Sequence, residues 1–214
     1  MELVQQIAVT KSGQHSDVVA AVACASAKMM VEHYTHPSVQ RWLRGSFTKT
    51  VRRGSEAKVE SLIEEIQPNA VASIAKYPRV ADDGSGPSAV KAVAFLPMTR
   101  DEVPRPLAKL RVADFERPRD DMWHRDGAGP MLFINGGIEM STGKTAAQVA
   151  HGLCAWLLDR TEREWIAWLE AGCPFSTDEL IEPEFIRAKT RASAIIRDAG
   201  LTEVEPGTAT VLVR

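Results

Sequence analysis

Read for apolar spacing alone, the chain runs twice through one order of elements. A short apolar run, VQQIAV at 4–9, predicts a strand; after a polar turn, a long Ala/Val-rich stretch has the spacing of a helix. MLFIN at 131–135 and the Ala-rich stretch that follows it repeat the plan. Each long helix is followed by a Trp-Leu pair, in RWLRG at 41–45 and in AWLEAG at 167–172. Trp42 and Trp168 keep the same register as Ala20-Ala21 and Ala146-Ala147 without a gap, which predicts a tandem duplication. At helical spacing beside leucine, both tryptophans read as core anchors, although stacking on nucleic-acid bases also fits.

Beyond Trp42 the pattern predicts a strand in FTKTVRR, a helix in SEAKVESLIEEI with Ser55 at its cap and a Glu-rich outer face, then strands in AVASIAKY and AVKAVAFL. Beyond Trp168 come CPFSTDELIEPEFIRAKTRA, then SAIIRDAG, a turn and TATVLV. Residues 185–191, FIRAKTR, fit either the second strand of this half or part of its helix, and periodicity does not decide. The order β-α-α-β-α-β-β predicts an α/β (α+β) fold: two similar small units, each a roughly four-stranded mixed sheet with helices mainly on one side. Between the halves, 99–130 holds four prolines and dense mixed charge, the mark of an extended connector along the surface. The expected division is therefore 1–98, 99–130 and 131–214, with the two repeats packed on each other in a monomer or homodimer.

Composition narrows the function classes. With 44% apolar and 25% charged residues in 214, a net charge of −2 and a pI near 6.2, capture of nucleic acid by bulk charge is not expected. Any such site must be a local patch. RWLRGSFTKTVRR, carrying Arg41, Arg44, Lys49, Arg52 and Arg53 and no acid, is one candidate; an edge strand guarded by charge explains it equally well. No run of about 18 apolar residues is present, and the N-terminus reads directly into a strand, so a cytoplasmic protein without a membrane partner is expected. Cys24, Cys154 and Cys173 show no C-x-x-C spacing, and no disulfide or metal site is expected.

The chemistry concentrates in GGIEMSTGKTAAQVAHG at 136–152. Gly143-Lys144-Thr145 resembles the end of a phosphate-binding loop, but the first glycine of that motif falls on Ile138, whose β-branched side chain resists the left-handed backbone the loop uses. The alternative is a helix start: Ser141 or Thr142 caps it, and Lys144, Gln148 and His151 follow at i, i+4 and i+7 on one face.

MSTGKTAAQVAHG, followed by AIIRDAGLTEVEPGTATVL, resembles the type II peptidyl-tRNA hydrolase family, with its G-K-x-A-A-Q-x-x-H and I-R-D-A-G-x-T-x-I-x-P-G-[ST]-x-T patterns. The resemblance covers about 131–214. The first half is similar only in its order of elements and reads as a degenerate copy, with Val18, Val22 and Ala25 aligned with Lys144, Gln148 and His151, and no D-A-G-x-T in YPRVADDGSGPS. The resemblance implies hydrolysis of the ester joining a peptide to the 3′ ribose of tRNA, with tRNA as partner and no metal or cofactor. It implies Lys144, Asp198, Gln148, His151 and Thr202 as catalytic residues and Thr142, Thr145, Thr208, Asn135 and Arg197 as substrate contacts. Lys144 and the helix N–H groups would hold an oxyanion, and Asp198, with His151, a water. The chain departs from the family pattern where Asn135 and Gly137 replace Arg and Asp, Thr142 replaces a Lys, and Leu201 and Glu203 replace Arg and Gln, which removes positive charge. A non-catalytic tRNA- or RNA-binding module that keeps the fold is therefore a second expectation, and a protein-interaction module a third. Each residue also has a plain reading: a solvated lysine at Lys144, a capping amide at Gln148, a half-buried His151, a turn aspartate at Asp198, and strand-forming threonines.

Overall fold

The computed structural model describes residues 2–74, 89–112, 115–119 and 128–214. The first unit runs β1 (Gln5–Thr10), α1 (His15–Glu32), α2 (Pro37–Arg44), β2 (Lys49–Gly54), α3 (Glu56–Ile66), β3 (Ala70–Ile74) and β4 (Val90–Ala94). After a short helix, α4 (Arg105–Ala108), the second unit repeats that order as β5 (Met131–Asn135), α5 (Thr142–Leu158), α6 (Glu162–Glu170), β6 (Ser176–Leu180), α7 (Glu182–Ala188), β7 (Ala194–Arg197) and β8 (Ala209–Val213). The sheets have the orders β2-β1-β4-β3 and β6-β5-β8-β7. In each, the first two strands of the unit pair parallel and the remaining pairs are antiparallel, the mixed sheet expected from the pattern.

Alternation along the strands sets the layers. Ile7 and Val9 of β1, and Leu132 and Ile134 of β5, join the large core around α1 and α5, whereas Ala8 and Phe133 point to the opposite faces, toward α3 with α4 and toward α7 respectively. Helices therefore cover both faces of each sheet, not mainly one. The expectation failed because the shorter helices bury few side chains: Val59 and Leu62 on α3, and Phe185 on α7.

The two units meet along α1 and α5. From Val18 to Ala27 every α1 residue is buried, as expected for a helix apolar on all sides. Ser26 Oγ, within this packing, donates to Gln5 Oε1 at 2.7 Å and lies 3.7 Å from Cys154 Sγ. The tryptophans are anchors in both units: Trp42 Nε1 donates to Thr48 O at 2.8 Å, and Trp168 Nε1 to Pro174 O at 2.9 Å. Phe47 and Cys173, at matching places just after them, both take positive φ, 54° and 63°.

Two local expectations are resolved. FIRAKTR is helical, ending α7 and continuing in a 3₁₀ turn (Lys189–Arg191), and the second strand of that half is STDEL instead. Ser55 occupies the cap position of α3 without a capping hydrogen bond from its side chain. The connector is more structured than an extended surface link: Leu107, Leu110 and Phe115 are buried. Its segment 115–119 ties the starts of α1 and α5, where His15 N donates to Pro118 O at 3.1 Å and Gly143 N to Phe115 O at 3.3 Å. Residues 77–88, YPRVADDGSGPS, lie outside the described residues. Among the described residues no helix is long and apolar enough to cross a membrane.

Candidate active site

The start of α5 is closed to phosphate. Ser141 is its N-cap, accepting from Lys144 N at 3.1 Å. Around it, Gly143 N is taken by Phe115 O, Gly137 N by Asn135 Oδ1 (3.0 Å), and Gly136 N by Leu180 O (2.9 Å). Ser141 N and Oγ donate to the two carboxylate oxygens of Glu203 at 2.8 and 2.7 Å. A loop whose amides are so committed does not wrap a phosphate chain.

One turn further along α5, the side chains form a connected network. Lys144 Nζ makes an ion pair with Asp198 Oδ2 and donates to Thr202 Oγ1 at 3.0 Å. Gln148 Nε2 donates to the same Asp198 oxygen at 2.7 Å and its carbonyl accepts from Thr210 Oγ1 at 2.7 Å. Gly200 N donates to Asp198 Oδ1 at 2.7 Å, the local turn bond expected of an aspartate before Ala-Gly. Asp198 is buried and only 11% of the Lys144 side chain is exposed. The i, i+4, i+7 spacing thus delivers Lys144, Gln148 and His151 to one cleft of about 600 Å³, whose opposite rim carries Asp198, Thr202 and Arg197.

The remaining sequence candidates are used elsewhere. Thr142 is fully buried, its Oγ1 accepting from Arg117 N at 2.9 Å and lying 3.0 Å from His15 Nδ1. Thr145 is also buried. Asn135 donates to Ala209 O at 2.9 Å and ties the ends of β5 and β8. Thr208 meets Asp198 through its backbone carbonyl, which accepts from Asp198 N at 2.9 Å; the threonine in the side-chain network is Thr210, two residues on. Arg197 reaches Gly207 O at 2.9 Å from the rim.

The first unit contributes a residue that the sequence reading placed on a charged edge. Lys49 is buried, with Nζ 3.3 Å from His151 Nδ1, 3.6 Å from the Phe47 ring centre and 4.4 Å from that of Trp42. The ammonium donates and the imidazole accepts, so His151 carries its proton on Nε2. Burial, with the charges of Lys49 and Lys144 beside it, holds the His151 pKa well below the ordinary histidine value, so the ring is neutral at pH 7. Burial also lowers the Lys49 pKa to about 8. The rest of the basic stretch divides: Arg41 and Arg44 are exposed, whereas Arg52 is half-buried, donating to Gln6 Oε1 at 2.8 Å and Leu110 O at 3.2 Å. β2 is an edge strand of its sheet, as the charge-guard reading requires.

The Lys49 shift sets a stability expectation. An unfolded lysine holds its proton to higher pH than the folded one, so between about 8 and the ordinary value of 10.5 the unfolded chain binds more protons and stability rises with pH. Below that window the folded protein carries the full cost of a buried charge. Lys49→Met should therefore raise the melting temperature at pH 7, by an amount equivalent to a few kcal/mol, and the gain should shrink as pH approaches 10. Thermal melts of both proteins from pH 6 to 10 check this; a pH-independent difference would contradict it.

Comparison with known proteins places the second unit. Residues 130–213 match the family model Peptidyl-tRNA hydrolase PTH2. The peptidyl-tRNA hydrolase of Methanopyrus kandleri is 38% identical over 92 residues, spanning 38% of this chain and 78% of that protein. The chain belongs to the peptidyl-tRNA hydrolase PTH2 family. The peptidyl-tRNA hydrolases of Metallosphaera sedula and Thermococcus onnurineus are 35% and 37% identical over 92 residues each, covering 79% and 78% of those proteins. The PTH2 match takes in Lys144, Gln148, His151, Asp198, Thr202 and Thr210, and leaves Lys49 outside it.

Proposed function

We propose that the chain hydrolyses the ester between a peptide and the 3′ ribose of tRNA, with the chemistry carried by the second unit. The observation that carries this reading is the buried Lys144–Asp198 pair opening on the cleft. An ester carbonyl beside Lys144 Nζ gains a cation and the Thr202 hydroxyl where negative charge grows during attack. Asp198 takes two bonds on Oδ2 and one on Oδ1, so one carboxylate lone pair is left to orient and deprotonate the attacking water. Gln148, fixed by Thr210, holds the carboxylate in place. His151, neutral and accepting from Lys49, shapes the cleft without handling the proton. In this reading the first unit descends from a duplication of the second, has lost Lys144 and its partners, and has kept the fold.

The test is direct: the purified chain, incubated with N-acetyl-phenylalanyl-tRNA, should release N-acetyl-phenylalanine and intact deacylated tRNA. A second reading is a tRNA-binding module without turnover: the Glu203 carboxylate takes Ser141 N and Oγ at the start of α5 and sets a negative charge where one growing on an ester oxygen would otherwise be stabilised, which opposes turnover. Binding of the charged tRNA without release of the amino acid would select it. Because a carboxylate there weakens the pull of the helix start on a polyanion, Glu203→Gln should tighten tRNA binding by about fivefold at low salt. A filter-binding titration measures this, and an unchanged affinity would place the tRNA backbone away from that end of α5.

A further inference from the structure

A second cavity, of about 370 Å³, lies where the two units meet, walled by α1 and β3 of the first and by the end of α6 and the turn into β6 of the second. It shares no lining residue with the cleft. Cys24 stands in its wall on α1, and Cys173 faces it from the turn between α6 and β6. The two thiols are in hydrogen-bond contact across the interface, and each residue is 8% exposed. Sequence spacing gives no sign of this pair, because only the packing of one unit on the other brings it together. Cys154 is placed differently: it is fully buried on α5 against Ser26 of α1 and lines no part of the cavity.

The contact is asymmetric. A hydrogen bond from the Cys24 thiol holds the Cys173 pKa below the ordinary cysteine value, while the same contact and burial push that of Cys24 up. Lys28, one turn along α1 from Cys24 and 3.8 Å from Glu32, favours a thiolate at Cys173, and Glu32 opposes it. Closing a disulfide requires the sulfurs to approach to about 2.05 Å. Cys173 can make that movement, since it lies in a turn whose preceding residue, Gly172, has open space beside it. We propose that Cys24 and Cys173 are a redox-active pair, oxidised by a peroxide to a disulfide that joins the two units. The Cys173 thiolate attacks one peroxide oxygen and the O–O bond breaks; with hydrogen peroxide, the leaving hydroxide takes up the proton that Cys173 gave up, and a sulfenic acid remains. Cys24 then gives up its proton, its sulfur attacks that of Cys173, and the sulfenic oxygen leaves as water. Two thiols and one hydrogen peroxide become one disulfide and two waters: the sulfurs lose two electrons and the peroxide oxygens gain them. The link closes a loop through most of the chain and fastens α1 to the end of α6.

Peptide mapping of the full chain tests it. Reduced protein treated with a slight excess of hydrogen peroxide at pH 7, then alkylated and digested with trypsin, should yield one linked pair of peptides carrying Cys24 and Cys173. Its mass should be two hydrogens below the sum of the thiol forms, Cys154 should remain a thiol, and dithiothreitol should reverse the link. The oxidised chain should melt about 10 °C or more above the reduced one, because the link constrains the unfolded chain. Cys24→Ser, whose hydroxyl can still donate to Cys173, should stop at the sulfenic acid and give a dimedone adduct on Cys173; Cys173→Ser should give none on Cys24. In the unmutated chain, a link through Cys154, links only between chains, or oxidation of Cys24 and Cys173 to sulfinic acids without a link would overturn the proposal. A dimedone adduct on Cys24 but not on Cys173 would overturn it as well.

Discussion

Lys144→Met is expected to lower kcat/KM for peptidyl-tRNA by about a hundredfold or more, the scale of losing one preorganised group that meets developing charge. The fold should survive at reduced stability: methionine is a good helix former, but the variant leaves the buried Asp198 carboxylate without its cation. The loss should fall mainly on kcat, since the ammonium is needed most when the carbonyl oxygen becomes an anion. Circular dichroism and steady-state kinetics on the same preparation separate the two effects. A folded Lys144→Met protein with full activity would remove Lys144 from the mechanism.

Asp198→Asn carries the second large effect. The amide keeps the size of the carboxylate and its Oδ1 can still accept from Gly200 N, so the turn persists. It loses the charge opposite Lys144 and the basicity needed to take a proton from water, because the lone pair left on Oδ1 is then an amide's. Activity should fall by about a hundredfold or more if the carboxylate moves a proton. Stability should also fall by about 3 kcal/mol, because Lys144 is left largely buried beside a neutral group. A variant that loses the stability but keeps the rate would make Asp198 a positioning residue for Lys144 only. In the double variant Lys144→Met/Asp198→Asn the stability cost should be smaller than for Asp198→Asn alone, since no unpaired charge is left behind.

The element order was legible in the sequence because it rests on local periodicity: two strand-helix beginnings, each closed by a tryptophan, differ enough from their surroundings to be seen. STDEL was missed as a strand because β6 is a sheet edge, where Asp178, Glu179 and the partly exposed Leu180 break the apolar alternation. FIRAKTR stayed ambiguous because one buried side chain, Phe185, anchors a whole helix and one position has no period. The site divides in the same way. Lys144, Gln148 and His151 could be grouped by helical spacing, and Asp198 with Thr202 by the turn between two strands. Thr210 could not be separated from Thr208, since both lie on one face of an ideal strand; the register shift at Ile196/Arg197, where β7 meets β8, belongs to the pairing and not to the local pattern. Lys49 was invisible for a further reason. Its role is set by α1 packing on α5, which brings β2 of one unit beside α5 of the other, and no motif in RWLRGSFTKTVRR records that contact.

Under the proposed function, water cleaves the bond between the acyl carbon and the ribose oxygen in the cleft at the start of α5. Hydrolysis of N-acetyl-phenylalanyl-tRNA in ¹⁸O-water, followed by mass spectrometry of both products, tests it most directly. One ¹⁸O atom in the carboxylate of the released N-acetyl-phenylalanine, and none in the 3′ end of the tRNA, is the predicted result, abolished in parallel with activity in Lys144→Met. No release above the buffer rate, or label in the tRNA ribose, would contradict it.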